Sequence, residues 1–159
     1  MKKSVSRRVA PTSPSSSQDL VLSTERADGH KQIAEAKLLR FPNRTTNRRY
    51  VIDMSSPEFT CMCPVSGFPD FATLHLHYVP KDWCVELKSL KLYINQFRDQ
   101  GIYHEDVTNK IMDELVTLLD PWEMRIVADF SLRGNIKTVI SANHVHKKVG
   151  SERWLVKSL

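Results

Sequence analysis

The order of the periodic segments constrains the fold of this 159-residue chain more than any other feature. Residues 71–79, FATLHLHYV, alternate strictly between apolar and polar side chains, which is typical of a strand with one buried face. Residues 48–56 predict an earlier strand, which we expect to end before Pro57. Between these two strands, residues 61–70 contain two prolines and a glycine and predict a loop.

Two amphipathic helices and two further strands follow. Apolar side chains recur every three or four positions over residues 87–97 and again over residues 107–118. Strands are predicted at 123–132 and 135–145, joined by a tight turn at Arg133-Gly134. The sequence therefore predicts an α+β fold in the order strand–strand–helix–helix–strand–strand, with an antiparallel sheet and both helices on one face.

The outer strands of such a sheet have unpaired edges, and two helices cover only one of its faces. Neighbouring copies of the chain could pair with these edges and close the sheets into a barrel. We therefore expect a homo-oligomer, and the sequence does not give the number of subunits.

The positive charge of the chain is confined to its N-terminal part. The net charge is +5, and residues 1–45 contain nine Lys/Arg against four Asp/Glu, whereas residues 46–159 are neutral with fourteen of each. A domain without net positive charge is poorly suited to bind a nucleic-acid phosphate backbone, so direct nucleic-acid binding is not expected. We expect 1–45 to be a basic, Ser-rich, partly disordered segment with a short helix at 31–41, and 46–159 to be a single domain.

The remaining composition bounds the cellular setting. No uncharged apolar run approaches the length of a membrane helix, and no apolar stretch follows the basic N-terminus as in a secretory signal. The chain has three cysteines, and so small and odd a number argues against a disulfide framework. These observations lead us to expect a cytoplasmic protein without a membrane span.

Cys63 is the sharpest candidate for chemistry. It lies in the predicted loop before Pro64, and Asp70 follows where the loop runs into a strand. A thiol attacks only as the thiolate, and a nearby carboxylate can take its proton and later return it. A buried free cysteine beside a turn-forming aspartate would give the same local sequence.

The cysteines also allow a metal site. Cys61 and Cys63 form a C-x-C pair, His75 and His77 follow, and Cys84 lies further on. Sulfur and imidazole ligands in this number can hold zinc, although the spacing matches none of the strong zinc patterns.

Charged side chains mark the starts of both predicted helices. Glu86 precedes the first, and His104 and Glu105 begin the second. A carboxylate there can complement the helix dipole, or it can accept two parallel N–H bonds from a guanine-like edge. Lys88 and Lys91 could attract a phosphate or could simply solvate the helix surface.

Three segments together resemble one enzyme family: EFTCMCPVSGFPDF at 58–71, ELKSLKLY at 86–93 and YHE at 103–105. In this order they resemble the NADPH-dependent 7-cyano-7-deazaguanine reductases, specifically the short, single-module type of that nitrile reductase family. The resemblance covers about residues 48–140 and implies the tunnelling fold, a ring-like homo-oligomer and active sites between subunits.

The resemblance also implies residue roles. Cys63 matches the nucleophile that adds to the substrate nitrile to form a thioimide, and Asp70 matches the proton donor. Contacts with the deazaguanine are implied for two segments. The first contains Val85, Glu86 and Leu87, and the second contains His104 and Glu105. The signature helix implies NADPH contacts at Lys88, Ser89 and Lys91, and no metal is implied.

The reaction implied is reduction of the nitrile to the primary amine 7-aminomethyl-7-deazaguanine by two NADPH, a step towards the tRNA nucleoside queuosine. The chain departs from the usual pattern at Phe68, where a polar residue is more common, at Cys61, which adds a thiol, and at Asn135, where glycine is frequent.

Two other function classes remain compatible with the sequence. A zinc-dependent hydrolase of the GTP cyclohydrolase type shares the tunnelling fold and would need Cys and His ligands that converge on one ion. A non-enzymatic module could instead use the basic segment 1–45 to recruit RNA.

Overall fold

The computed structural model describes residues 28–150, which form two antiparallel sheets. The main sheet has four strands in the order β2-β3-β5-β6, and β1 pairs with β4 in a small second sheet. The bounds of the strands are Arg40–Pro42 (β1), Ile52–Met62 (β2), Pro69–Val79 (β3), Trp83–Val85 (β4), Glu123–Phe130 (β5) and Val139–Val145 (β6).

Three α-helices accompany these sheets. Their bounds are Asp28–Ala34 (α1), Leu87–Asn95 (α2) and His104–Leu119 (α3), and a 3-10 turn, Gln96–Asp99, extends α2. The predicted order of two strands, two helices and two strands is confirmed by β2, β3, α2, α3, β5 and β6. No helix within residues 28–150 combines the length and apolar character that crossing a bilayer requires.

Alternation on the central strands creates the core. In β3, Leu74, Leu76 and Tyr78 are buried, as predicted, while the residues between them lie on the opposite, partly exposed face. The alternate residues of β5, from Met124 to Phe130, are also buried, at 1% exposure or less. Both strands direct these side chains to one face of the sheet, where the helices pack.

Apart from Leu87, which is 66% exposed, the apolar stripes that the sequence predicted pack against the core. In α3, Val107, Ile111 and Leu115 are buried in the same cluster as the strands, and each such side chain contributes about 1.5–3 kcal/mol of hydrophobic stabilisation. The helix ends at Asp120, which has a left-handed backbone conformation with φ 45° and donates its N–H to the Val116 carbonyl.

The predicted boundary after residue 45 is wrong. Residues 28–45 belong to the folded domain, because Phe41 in β1 pairs with Cys84 in β4 and the Gln96 side chain donates to the carbonyls of Ile33 and Ala36 at 2.8 and 2.9 Å. The predicted helix at 31–41 is also too long, since β1 occupies its end. Residues 1–27 of the segment expected to be partly disordered lie outside the described residues.

The first strand does not end before Pro57, contrary to the prediction. Strand β2 continues to Met62, and its pairing with β3 shifts register between Ser56 and Phe59. A proline is tolerated there because β2 is an edge strand and the irregularity needs no ladder hydrogen bond from it. The predicted loop at 61–70 is consequently shorter, with only residues 63–68 between the strands.

The turn predicted at Arg133-Gly134 is confirmed. Arg133 and Ile136 exchange backbone hydrogen bonds of 3.0 and 2.9 Å, and the two residues between them have positive φ, 54° at Gly134 and 66° at Asn135. Two positive φ values define a tight hairpin turn in which glycine and asparagine are favoured. Asn135 therefore occupies a left-handed position that glycine would also suit.

The predicted site residues lie at two opposite ends of the sheet, which we call the Cys63 end and the Glu86 end. At the Cys63 end, the Met62 N–H donates to the Gln100 carbonyl at 2.9 Å, which places the start of α3 beside the β2–β3 loop. At the Glu86 end, the Val85 N–H donates to the Tyr78 hydroxyl at 3.2 Å. Eight residues of β3 separate Asp70 from Tyr78, so the two ends lie about 26 Å apart along the strand.

Candidate active site

Cys63 begins a compact loop between β2 and β3. Its N–H donates to the Phe68 carbonyl at 2.8 Å, and its own carbonyl accepts from the Gly67 N–H at 2.9 Å. Gly67 has φ 69°, a conformation that most side chains disfavour, so glycine is needed to close this turn. The loop thus fixes the backbone of Cys63 while leaving its thiol partly exposed.

The loop stabilises the Cys63 thiolate. The Ser66 hydroxyl lowers the pKa of the Cys63 thiol below its ordinary value, and the backbone N–H groups of Ser66 and Val65 add to this effect. The Asp70 carboxylate opposes it through charge repulsion. Because hydrogen bonds to an anion favour the ionised form, this environment suits Cys63 for the predicted role of nucleophile.

Cys61 has the opposite environment. It is fully buried and lies across the β2–β3 ladder from Asp70. Burial raises the pKa of Cys61 to about 11, with smaller contributions from the negative charges of Asp70 and Cys63. A neutral, inaccessible thiol is a poor nucleophile, so the structure favours Cys63 over Cys61 as the reactive sulfur.

Asp70 is buried at 5% exposure and is held by two basic side chains. Arg133 Nη1 donates to Asp70 Oδ1, and His104 Nε2 lies 3.2 Å from Asp70 Oδ2. Both carboxylate oxygens therefore have a partner, as a buried ionisable group requires. The sequence identified Asp70 and His104, and the structure brings them together.

His104 is oriented by packing as well as by hydrogen bonding. Its ring stacks on Phe130, with centroids 3.7 Å apart and planes 7° from parallel. His104 is the first residue of α3, and Glu105 follows it as an exposed side chain in the first turn. The Cys63 end thus contains a partly exposed thiol with a lowered pKa, a buried acid–imidazole pair and an exposed carboxylate.

The other predicted substrate residues lie at the opposite end of the sheet. Val85 is buried and Leu87 is 66% exposed. The Glu86 carboxylate caps α2, accepting from the N–H groups of Lys88 at 2.9 Å and Ser89 at 2.7 Å, which lowers the pKa of Glu86. Within one chain, Glu86 therefore lies near the Tyr78 end of β3, whereas Cys63 lies near the Asp70 end.

A groove of about 740 Å³ between α2 and β2 contains two of the predicted cofactor residues. Lys88 and Lys91 line it together with Arg98, and its floor is formed by core residues such as Leu76 and Ile111. Ser89 does not line the groove: its buried hydroxyl donates to the Glu86 carbonyl at 2.7 Å and accepts from the Leu39 N–H at 3.0 Å. Basic side chains above an apolar floor fit a dinucleotide, which has charged phosphates and flat rings.

The geometry does not support the zinc hypothesis. Cys61 faces the buried core, whereas His75 and His77 lie on the other face of β3, where Asp53 Oδ1 is 2.6 Å from His77 Nδ1. Within residues 28–150, no group of three or more Cys, His, Asp and Glu side chains converges as metal ligands would.

Sequence reasoning missed two residues of the site, Ser66 and Arg133. The sequence indicates Ser66 only as part of a turn-rich loop, and Arg133 only as the start of a hairpin turn. Arg133 is sixty-three residues from Asp70 in sequence, and only the pairing of β3 with β5 brings them together. The neighbouring Arg133-Gly134 turn was the only local signal.

Thiol alkylation tests the assignment of the reactive sulfur. Iodoacetamide at neutral pH should modify Cys63 and leave Cys61 and Cys84 intact, because only Cys63 combines exposure with a lowered pKa. The pH midpoint of the alkylation rate should lie below the value of about 8.5 for an unperturbed thiol. Peptide mass mapping gives the site; modification of Cys61 instead would contradict the assignment.

The comparisons with known proteins agree with this geometry. A family model described as "QueF-like protein" matches residues 69–149. An NADPH-dependent 7-cyano-7-deazaguanine reductase from Acaryochloris marina is 51% identical over 134 residues, which cover 84% of this chain and 93% of that protein. The chain belongs to this reductase family.

Further members support the same family. The reductase of the same name from Nostoc sp. is 52% identical over 116 residues, covering 73% of this chain and 85% of that protein. The one from Anaeromyxobacter sp. is 53% identical over 113 residues, covering 71% and 93%. The resemblance drawn from the three sequence motifs is thereby confirmed.

A solved structure independently supports the fold of these reductases. The apo form of an archaeosine synthase described as QueF-Like aligns with a TM-score of 0.56 and 15% sequence identity. The alignment covers 63% of this chain and 96% of that structure. At this identity the likeness concerns the fold alone.

Proposed function

We propose that the chain reduces the nitrile of 7-cyano-7-deazaguanine to 7-aminomethyl-7-deazaguanine, a queuosine precursor, through a thioimide on Cys63. The observation that carries the mechanism is a Cys63 thiol of lowered pKa within electrostatic reach of a buried carboxylate that is itself held by Arg133 and His104. The activity itself rests on the family to which the chain belongs. The cytoplasm, a reducing compartment, would keep Cys63 free of disulfides.

The first step adds the Cys63 S–H bond across the C≡N bond. Sulfur bonds to the nitrile carbon, and the proton passes to the nitrile nitrogen by way of the Asp70 carboxylate. Asp70 suits this transfer because it is withdrawn from water and its Oδ2 has His104 Nε2 as a neighbour at 3.2 Å. Both protonation states of Asp70 therefore have hydrogen-bonding partners.

Reduction of the thioimide consumes two hydrides and two protons, gives the primary amine and returns Cys63 to the thiol. NADPH, when bound, supplies the hydrides. The Asp70–His104 pair is the group within the site that can deliver protons to the substrate nitrogen. Glu105, exposed beside His104, would accept N–H bonds from the deazaguanine edge and fix its orientation.

The groove between α2 and β2 is the proposed cofactor site. Lys88 and Lys91 would hold phosphate groups of NADPH, and the apolar floor would accept a flat ring. Ser89 would contribute indirectly, because its buried hydroxyl ties the start of α2 to the Leu39 backbone and so fixes the helix that carries both lysines.

The complete substrate site is proposed to form between subunits. Glu86 lies next to Val85 at the Tyr78 end of β3, whereas Cys63 lies at the Asp70 end, and these two residues of β3 are about 26 Å apart along the strand. Exposed apolar side chains occur at both ends of the sheet and are suited to contact another copy. At the Cys63 end they are Val65, Phe68, Phe71, Leu132, Ile136 and Val139, and at the Glu86 end Leu39, Phe41 and Leu87.

The strand edges support the same arrangement. Within residues 28–150, the outer edges of β2 and β6 pair with no other strand. Copies of the chain that pair through these edges would close a barrel and could bring the Glu86 end of one subunit to the Cys63 end of its neighbour. We therefore propose a homo-oligomer whose sites are shared.

Subunit complementation tests shared sites. Cys63→Ala and Glu86→Gln chains should each be inactive alone, whereas co-expressed in equal amounts they should recover about a quarter of the wild-type rate. That fraction of sites would combine an intact Cys63 with an intact Glu86 from the other variant. NADPH oxidation by doubly tagged, co-purified oligomers measures the recovery. Complete inactivity of such oligomers, with both variants folded, would contradict shared sites.

The overall reaction is tested directly with purified chain, NADPH and 7-cyano-7-deazaguanine. Two NADPH should be oxidised for each primary amine formed, as followed by nicotinamide absorbance and by mass spectrometry of the product. Amine formation without this stoichiometry, or no reaction by a folded oligomer, would contradict the proposed function.

A further inference from the structure

Arg133 contacts both halves of the proposed catalytic machinery. Its Nη1 donates to Asp70 Oδ1 and also to the Pro69 carbonyl at 3.1 Å, while its Nη2 reaches Ser66 Oγ at 3.5 Å. One planar guanidinium therefore touches the acid and the loop that holds the nucleophile. The tight turn at Gly134 and Asn135 fixes the backbone from which Arg133 extends.

The contact between Arg133 and Ser66 restricts how the Ser66 hydroxyl can orient its hydrogen. A serine hydroxyl has one donor hydrogen and two acceptor lone pairs. Ser66 Oγ accepts from Arg133 Nη2 and from the Phe68 N–H at 3.4 Å, so both lone pairs have donors. The single hydroxyl hydrogen is then free to point elsewhere, and the Ser66 hydroxyl is the largest cause of the lowered pKa of the Cys63 thiol.

We propose that Arg133 is a positioning residue for the reaction: it directs the Ser66 hydroxyl towards the Cys63 sulfur and simultaneously anchors Asp70. The guanidinium does not need to touch the substrate in this role. It couples nucleophile and acid, because one side chain sets the surroundings of both. This inference rests on the proposed function only for its catalytic meaning, since the coupling itself exists in the free protein.

The charges around Cys63 determine the direction of the expected effect. The Asp70 charge raises the pKa of both Cys61 and Cys63, and His104 and Arg133 are the basic groups that face Asp70. Loss of Arg133 would leave the Asp70 charge less compensated and the Ser66 hydroxyl less constrained. Both changes disfavour the Cys63 thiolate.

The test is the pH dependence of Cys63 alkylation in the substrate-free protein. In Arg133→Gln the midpoint should move upward by about one pH unit, which reduces the alkylation rate at neutral pH roughly tenfold while the rate at high pH stays unchanged. Ser66→Ala should also shift the midpoint upward. In Arg133→Lys the upward shift should be smaller than in Arg133→Gln, because lysine places a positive charge near Asp70 but lacks the planar guanidinium.

Lys137→Gln is the matched control, because Lys137 lies on the same hairpin and pairs with Asp129 instead. It should leave the midpoint where it is in the wild type. An Arg133→Gln midpoint equal to that of the wild type, an equal shift in Lys137→Gln, or a lower rate at every pH would overturn the proposal. The last result would mean that Arg133 only maintains the loop. Because no substrate or NADPH is present, the outcome is independent of whether the proposed reaction occurs.

Discussion

Replacing Cys63 by alanine is expected to abolish nitrile reduction, with a loss of at least about 10⁴-fold in NADPH oxidation. A nitrile carbon is a poor hydride acceptor, and addition of the thiol creates the C=N group that can be protonated and reduced. Without the sulfur at residue 63, no other accessible thiol lies in the β2–β3 loop. Nicotinamide absorbance measures the loss, and substrate binding should persist.

Cys61→Ala is the matched control for this substitution. The Cys61 thiol is buried and its pKa is raised to about 11, so it is protonated at neutral pH and inaccessible to substrate. Cys61→Ala should therefore retain most of the activity. A Cys61→Ala protein that is folded but inactive, together with an active Cys63→Ala protein, would reverse the assignment of the nucleophile.

Asp70→Asn is expected to slow the reaction by about 10²–10⁴-fold, the usual contribution of a positioned proton-transfer group. Asparagine has nearly the same shape, and its amide oxygen can still accept from Arg133, but it cannot carry the proton. The effect should fall on kcat, with little change in the affinity for 7-cyano-7-deazaguanine.

Steady-state kinetics and equilibrium substrate binding distinguish an effect of Asp70 on proton transfer from an effect on substrate affinity. Lys137→Gln serves again as the control, since its partner Asp129 lies on the partly exposed face of β5, opposite to the buried face that carries Phe130. A tenfold or greater loss of substrate affinity in Asp70→Asn, with kcat unchanged, would mean that Asp70 binds substrate and does not transfer a proton.

The main sheet and its helices could be predicted because their signals are local. Strict alternation in residues 71–79 reflects one buried face of β3, and the stripes in α2 and α3 reflect burial of one side of each helix. The apolar period in the sequence follows from burial, because the helices cover the face of the sheet to which every second strand residue points.

The errors in the fold prediction share a different cause. β1 and β4 have three residues each, too few for a periodic pattern, and they are stabilised by pairing with each other across some forty residues of sequence. The sequence predicts a strand end before Pro57, but an edge strand with a register shift accommodates this proline. Long-range pairing, which sequence periodicity does not report, decided both cases.

The candidate site shows the same division. Cys63 and Asp70 could be paired from the sequence because one short loop separates them, and His104 because a family motif contains it. The Arg133 contact depends on the β3–β5 pairing and on the turn at residue 134, so no local pattern could reveal it. Glu86, predicted as a substrate contact, caps α2 in the single chain, and any further role requires a neighbouring subunit.

The central claim, a covalent bond between Cys63 and the nitrile carbon, is tested most directly by intact-protein mass spectrometry. The chain incubated with 7-cyano-7-deazaguanine alone should gain the mass of one substrate per subunit, mapped to the Cys63 peptide, and Cys63→Ala should gain none. Addition of NADPH should remove the adduct and release the amine. An unmodified wild-type chain that nevertheless reduces the nitrile, or an adduct that survives in Cys63→Ala, would contradict the account.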